Sequence, residues 1–176
     1  KFLNIKCRKS GLKPSCIVIV ATIRALKMHG GLDKHQLKKE NMSALIKGMI
    51  NLERHINNMK KFGVPVTVAI NKFVNDTRKE ENAVIDFCKS MGIKANLCTH
   101  WSEGGKGTRE LAKTVVKLSS KKNNKFKYLY DSKLPLFKKI EKIAIELYKA
   151  SEVVADTKIR SQLKEFETMG YKNLPI

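Results

Sequence analysis

Two short apolar runs rich in β-branched residues, Cys16-Ile-Val-Ile-Val-Ala21 and Val64-Pro-Val-Thr-Val-Ala-Ile70, constrain the fold more than any other feature of the chain. Neither run alternates apolar with polar residues, so neither reads as a strand with one wet face. Continuous runs of this length suit parallel strands covered on both faces. Between them, Glu40 to Phe62 carries Leu45, Met49, Leu52, Ile56 and Met59 at helical spacing, and Gly63 is placed to stop the helix. The three segments predict one strand–helix–strand crossover of the usual right hand.

The pattern continues toward the C-terminus. Asn75-Asp76-Thr77 can cap a helix from about Arg78 to Met91 that buries Val84, Ile85 and Cys88 and ends at Gly92. Ile93 to Cys98 then reads as a third strand, Thr99 to Gly107 as a polar, glycine-rich loop, and Thr108 to about Leu118 as a helix with Leu111, Val115 and Leu118 in register. Ser119 to Lys127 has no apolar period and reads as an exposed connector. Two more helices are expected, Pro135 to Lys149 and Thr157 to Met169. The fold class is therefore α/β: a layered parallel sheet with helices on both faces over residues 1–127, followed by a helical segment over 128–176.

Charge is the loudest bulk property, at +20 from 36 Lys and Arg against 16 Asp and Glu. Such a balance raises nucleic acid or an anionic membrane as a partner. The lysines are spread over nearly every segment, however, and aromatic residues make up only 7% with no stacking cluster among the basic ones. A solvated lysine-rich surface explains this better than a dedicated nucleic-acid site, and a basic nucleic-acid-binding module is kept as the alternative. No apolar run approaches the roughly 20 residues of a membrane helix. Cys7, Cys16, Cys88 and Cys98 form no CxxC pair and have no His partner at zinc spacing, so they read as reduced thiols of a cytoplasmic protein, with no metal site. The start at Lys1-Phe2-Leu3 carries no visible targeting signal, and a fragment of a longer chain is one reading of it.

Open α/β sheets bind ligands at the carboxyl ends of their strands, so three strand ends are compared. The first offers Arg24, Lys27 and His29, followed by Gly30 and Gly31, which would let backbone approach a ligand closely. The second offers Asn71, Lys72 and Phe73; the third offers His100, Trp101, Ser102 and Glu103. Taken singly, each has a plainer reading: Arg24 and Lys27 as the start of an exposed helical turn, His29 as a structural hydrogen-bonding group, Phe73 as core. Trp101, in a polar glycine-rich loop, is harder to assign to a core. Gly104-Gly105-Lys106-Gly107-Thr108 opens a helix that could meet an anion, but it lacks the G-x-x-x-x-G-K-[ST] spacing of a phosphate loop. Asn71-Lys72 is similar to the base-reading loop of P-loop GTPases, yet Val74 stands where that loop has Asp, which disfavours a GTPase fragment.

Longer motifs point to one family. Phe2 to Arg8 with Ser10-Gly11-Leu12, Val20 to Gly31, Asn51 to His55, Phe62 to Pro65, Ala69 to Phe73 with Asp76-Thr77, Trp101 to Gly107, Tyr128 to Asp131 and Gly170 to Ile176 together resemble formate–tetrahydrofolate ligases, also called 10-formyltetrahydrofolate synthetases. The resemblance implies an interior third of a longer ligase with a P-loop NTPase-like sheet, whose ATP-binding Walker A loop lies before residue 1. It implies ATP with magnesium, formate and tetrahydrofolate as reactants, the remainder of the same polypeptide as a partner, and a homo-oligomeric full-length enzyme. Phe73 and Trp101 would sandwich the pterin ring, with Val74 at the pocket edge where the family commonly has Pro. Asn71, Lys72, Ser102, Glu103 and Gly104 would form part of the nucleotide-site wall. Arg24, Lys27 and His29 match the signature run and are the candidate catalytic residues.

Overall fold

The β-branched runs build the strands they predict. In a computed structural model that describes residues 1–120 and 125–176, β1 (Ile17–Ala21), β2 (Val66–Asn71) and β3 (Ala95–Cys98) form one parallel sheet in the order β1-β2-β3. The helices are α1 (Cys7–Ser10), α2 (Ile23–His29), α3 (Met42–Lys60), α4 (Arg78–Ser90), α5 (His100–Glu103), α6 (Arg109–Ser119), α7 (Leu136–Tyr148) and α8 (Thr157–Thr168). The expected connector from Ser119 to Lys127 falls partly outside the described residues. Contacts divide the chain into two units, residues 15–124 and residues 1–14 with 125–176.

In the first unit β2 is the central strand. Val66, Val68 and Ile70 point to one face and join Leu45, Met49, Leu52 and Ile56 of α3, Ile23 and Leu26 of α2, and Val84 and Cys88 of α4 in the main core. Thr67 points to the other face, where the Thr114 hydroxyl of α6 donates to Asn96 Oδ1 at 3.0 Å, Asn96 Nδ2 donates to Thr67 Oγ1 at 3.3 Å, and the Thr67 hydroxyl donates to the Lys94 carbonyl at 2.7 Å. Coverage of both faces thus holds for β2 but not for β1. Val18 and Val20 are 37% and 67% exposed, because β1 is at one edge of the sheet and α6 packs against β2 and β3.

The caps follow from local chemistry. Asn41 Oδ1 accepts from the Ala44 N–H at 2.9 Å to start α3, and Thr77 with Glu80 forms a reciprocal capping box on α4.

After β1, Thr22 Oγ1 accepts from the Ala25 N–H at 3.1 Å and the chain turns at once into α2, so Arg24 and Lys27 do begin a helix, although Lys27 is buried in it rather than exposed. The glycine-rich stretch expected as an open loop after β3 winds instead into α5 and a 3-10 helix over Gly104–Thr108. A Cβ on Gly107 would lie 2.5 Å from the Thr99 carbonyl carbon, so the close return of this segment to the end of β3 requires glycine.

The second unit joins the N-terminal residues to the C-terminal ones. The Arg8 guanidinium lies 4.0 Å over the Tyr128 ring and donates from Nη2 to the Tyr130 carbonyl at 2.6 Å, while Asn4 Oδ1 accepts from the Leu129 N–H at 3.0 Å. On α7, the fully buried Lys139 donates to the carbonyls of Lys172 and Leu174. Its burial, reinforced by the nearby Arg8 charge, pushes the Lys139 ammonium down from its ordinary pKa.

Candidate functional site

Adjacent parallel strands carry their following residues to the same rim, and the ends of β2 and β3 do so here. Asn71 pairs with Cys98 in the register, and the Lys72 N–H donates to the Cys98 carbonyl at 3.0 Å. Beyond that last ladder bond the two chains part, and a cleft of about 550 Å³ opens between them. Lys72, Phe73 and Val74 line it from the β2 side; Thr99, Trp101 and Ser102 line it from the β3 side. Val74 is 98% exposed and Trp101 79% exposed, so the rim presents apolar surface that nothing within the unit covers.

The Phe73 turn is tightly organised. Asp76 Oδ2 accepts from the Phe73 N–H at 2.8 Å, and the Phe73 carbonyl accepts from the Asp76 N–H at 3.0 Å. Burial pushes the Asp76 carboxyl above the usual carboxylate range; the Phe73 N–H opposes that, Glu80 adds to it, and Arg24 and Lys27 oppose it. The Arg24 guanidinium lies 4.3 Å over the Phe73 ring. Lys72 Nζ stands 2.7 Å from Glu81 Oε1, keeping a partly exposed cation at the cleft edge.

On the other wall, the Thr99 hydroxyl donates to the Glu103 carboxylate and the Ser102 hydroxyl donates to the Thr99 carbonyl at 3.1 Å. Gly104 adopts φ +56°, a conformation side chains disfavour, where the chain leaves α5.

The sequence candidates therefore separate. Phe73, Val74, Trp101, Lys72 and Ser102 meet at one cleft. Asn71 sits at the end of β2 with a buried Oδ1 lacking a hydrogen-bond partner, and Glu103 and Gly104 follow the Trp101 turn without lining the cleft. Arg24 contacts Phe73.

Lys27 differs from the reading of its cation as facing a ligand. It is fully buried, 2.9 Å from Glu80 Oε1, and donates to the Lys39 carbonyl at 2.8 Å. His29 ends α2 as an exposed residue and does not line the cleft.

Gly30 also serves a different purpose from the one expected. A Cβ there would lie 1.8 Å from the Ala44 carbonyl oxygen, so its backbone approaches α3 rather than a ligand. Thr99 is the lining residue that sequence reasoning passed over, although its place directly after β3 is the signal that could have found it.

No group of three or more His, Cys, Asp or Glu converges among the described residues to hold a metal ion. The described side chains by themselves therefore form no cluster suited to the magnesium that the family resemblance implies for ATP.

The fold and the cleft define a layered α/β protein segment of the kind that binds a ligand at the carboxyl ends of parallel strands. Its family model match covers residues 1–176 and is described as formate–tetrahydrofolate ligase. The chain belongs to that family. It is 64% identical over its whole length to a formate–tetrahydrofolate ligase of Pelagibacter ubique (strain HTCC1062), of which it covers 31%. It is 53% identical to those of Sinorhizobium fredii and Ruegeria pomeroyi, again over its whole length and covering 32% of each. The chain thus spans about a third of the length of these curated relatives.

Proposed function

We propose that this chain supplies the folate-binding wall of an ATP-dependent ligase that makes 10-formyltetrahydrofolate from formate and tetrahydrofolate. The observation that carries the reading is the convergence of Phe73 and Trp101, from neighbouring strand ends, on one apolar cleft with little competing polar surface. A flat pterin between two aromatic walls gains about 0.5–1.5 kcal/mol per stacking contact beyond the burial itself. Val74 would extend the apolar edge.

In the reaction, a formate oxygen bonds to the γ-phosphorus of ATP as the bond to the bridging oxygen breaks and ADP leaves, giving formyl phosphate. The N10 lone pair of tetrahydrofolate then attacks the formyl carbon, phosphate departs, and the nitrogen loses its proton. Such a phosphoryl transfer depends on positioning and on cationic stabilisation rather than on covalent chemistry by the protein. Holding the pterin still against Phe73 and Trp101 is the contribution this segment makes. Asn71, Lys72, Ser102, Glu103 and Gly104 belong to the wall facing the nucleotide, with the Lys72 cation nearest the cleft. Arg24 and His29 have no assigned chemical step. The rest of the polypeptide supplies the ATP cradle, the full-length enzyme works as a homo-oligomer in the cytoplasm, and the +20 charge suits a folate with a polyglutamate tail.

The test is steady-state kinetics of Trp101→Ala in the full-length enzyme. The KM for tetrahydrofolate should rise about ten- to a hundredfold, the loss expected for one stacked, buried aromatic contact, while the KM for ATP stays within about twofold. An equal rise in both would overturn the assignment.

A further inference from the structure

We infer that Arg24 is a positioning residue for the folate site, acting through the ring of Phe73; the inference rests on the folate reading of the cleft. Its guanidinium lies 4.3 Å over the Phe73 ring, and the same ring lines the cleft. An aromatic ring has two faces, and a cation stacked on one leaves the other for a ligand.

Two further observations separate Arg24 from a residue that merely decorates a helix. It sits in the first turn of α2, directly after the Thr22 cap and Ile23, where the helix dipole disfavours positive charge. Its Nε is also buried without a hydrogen-bond partner, so the Phe73 ring, 4.3 Å from the guanidinium, is a contact that holds it, alongside the charge of the nearby Asp76 carboxyl. The backbone beneath the ring is fixed separately, by the Phe73 N–H donating to Asp76 Oδ2 at 2.8 Å. Asp76 therefore sets where the Phe73 main chain lies, and Arg24 sets how the side chain is turned. A cation on the far face also draws π density away from the cleft face, which favours stacking of an electron-rich aminopyrimidinone ring there.

The alternative duty for a guanidinium at a strand end is to hold an anion, such as the phosphate of ATP or of the acyl phosphate. The two duties are separated by kinetics of Arg24→Met, Arg24→Lys, Phe73→Leu and the double variant Arg24→Met/Phe73→Leu in the full-length enzyme. Arg24→Met should raise the KM for tetrahydrofolate by about three- to thirtyfold, the range for losing one partly desolvated cation–π contact, with kcat and the KM values for ATP and formate within about twofold.

Arg24→Lys, which keeps a cation on the ring, should recover most of that loss, and it carries the test should the Met variant fail to fold. In the Phe73→Leu background Arg24→Met should add nothing, because the ring through which it acts is gone. A fall in kcat or a rise in the KM for ATP or formate with tetrahydrofolate unaffected, an effect that persists in the Phe73→Leu background, or no effect at all would each overturn the inference. If Phe73→Leu and Trp101→Ala themselves leave the KM for tetrahydrofolate unchanged, the folate reading of the cleft is what has failed.

Discussion

Lys27 Nζ lies 2.9 Å from Glu80 Oε1, with both side chains fully buried, and this pair ties three helices together. Glu80 comes from α4, Lys27 from α2, and Glu80 Oε1 also accepts from the N–H of Asn41, the cap of α3, at 3.1 Å. Removing one partner leaves the other charge buried and alone, which costs about 3–5 kcal/mol. Lys27→Met and Glu80→Gln in the full-length enzyme should each lower the urea midpoint accordingly. Variants within about 1 kcal/mol of the parent would show that the pair is not what holds α2, α3 and α4 together.

The same pair sets an acid limit. Burial by itself would raise the Glu80 carboxyl, but the bonds from Lys27 and from the N–H groups of Asn41 and Thr77 outweigh it and hold it below the ordinary range. A depressed carboxyl contributes stability that is complete above the unfolded value of about 4.3 and is lost as pH falls through the folded value. Stability measured by urea unfolding from pH 6 to pH 3 should decline more steeply in the parent than in Glu80→Gln; parallel profiles would contradict the assignment.

Gly30 and Gly48 let α2 and α3 touch backbone to backbone. A Cβ on Gly30 would lie 1.8 Å from the Ala44 carbonyl oxygen, and one on Gly48 would lie 1.7 Å from the Leu26 carbonyl oxygen. Neither obstacle is a movable side-chain tip, so Gly30→Ala and Gly48→Ala should each cost several kcal/mol, above the roughly 1–3 of ordinary overpacking. Gly105, where a Cβ meets nothing within 4 Å, is the control. Thermal unfolding of the three alanine variants decides, with Gly105→Ala expected near the parent.

Thr114→Val should cost about 1–3 kcal/mol, because it leaves Asn96 Oδ1 buried without its donor. Thr114→Ser keeps the hydroxyl and should recover most of the loss. Equal destabilisation by Val and Ser, read from urea midpoints, would assign the effect to packing instead.

Burial pushes the Cys88 thiol up to about 11. At pH 8 it is then about one part in a thousand thiolate, the reactive form. Maleimide labelling followed by peptide mass spectrometry should leave Cys88 unmodified in the native enzyme and modify it in denaturant. Native labelling of Cys88 within minutes would refute its protected placement.

Much of the fold was legible because short-range signals agreed. The β-branched runs at Ile17–Ala21 and Val66–Ile70, the apolar period of α3 and the Thr77 cap of α4 each act within a few residues. Val18 and Val20 were misjudged for a different reason: continuous hydrophobicity announces a strand, but whether a helix covers each face depends on where α6 packs. Of the site, Phe73 and Trp101 could be read from their positions after strands, whereas Thr99 drew no attention among more reactive neighbours.

The run from Thr22 to Gly31 shows where sequence stops. By itself it determined a strand end followed by cations at two positions one helical turn apart and a glycine pair; that α2 starts at the Thr22 cap came from the structure. Only the tertiary structure decided what each residue is for. The helix directs Lys27 into the interior, where Glu80 neutralises it, places Arg24 against Phe73, leaves His29 in solvent, and brings Gly30 against α3. The physical reason is that partners such as Glu80 and Phe73 lie about fifty residues away in the chain. A pattern local to ten residues carries no information about which distant side chains the fold will bring beside it.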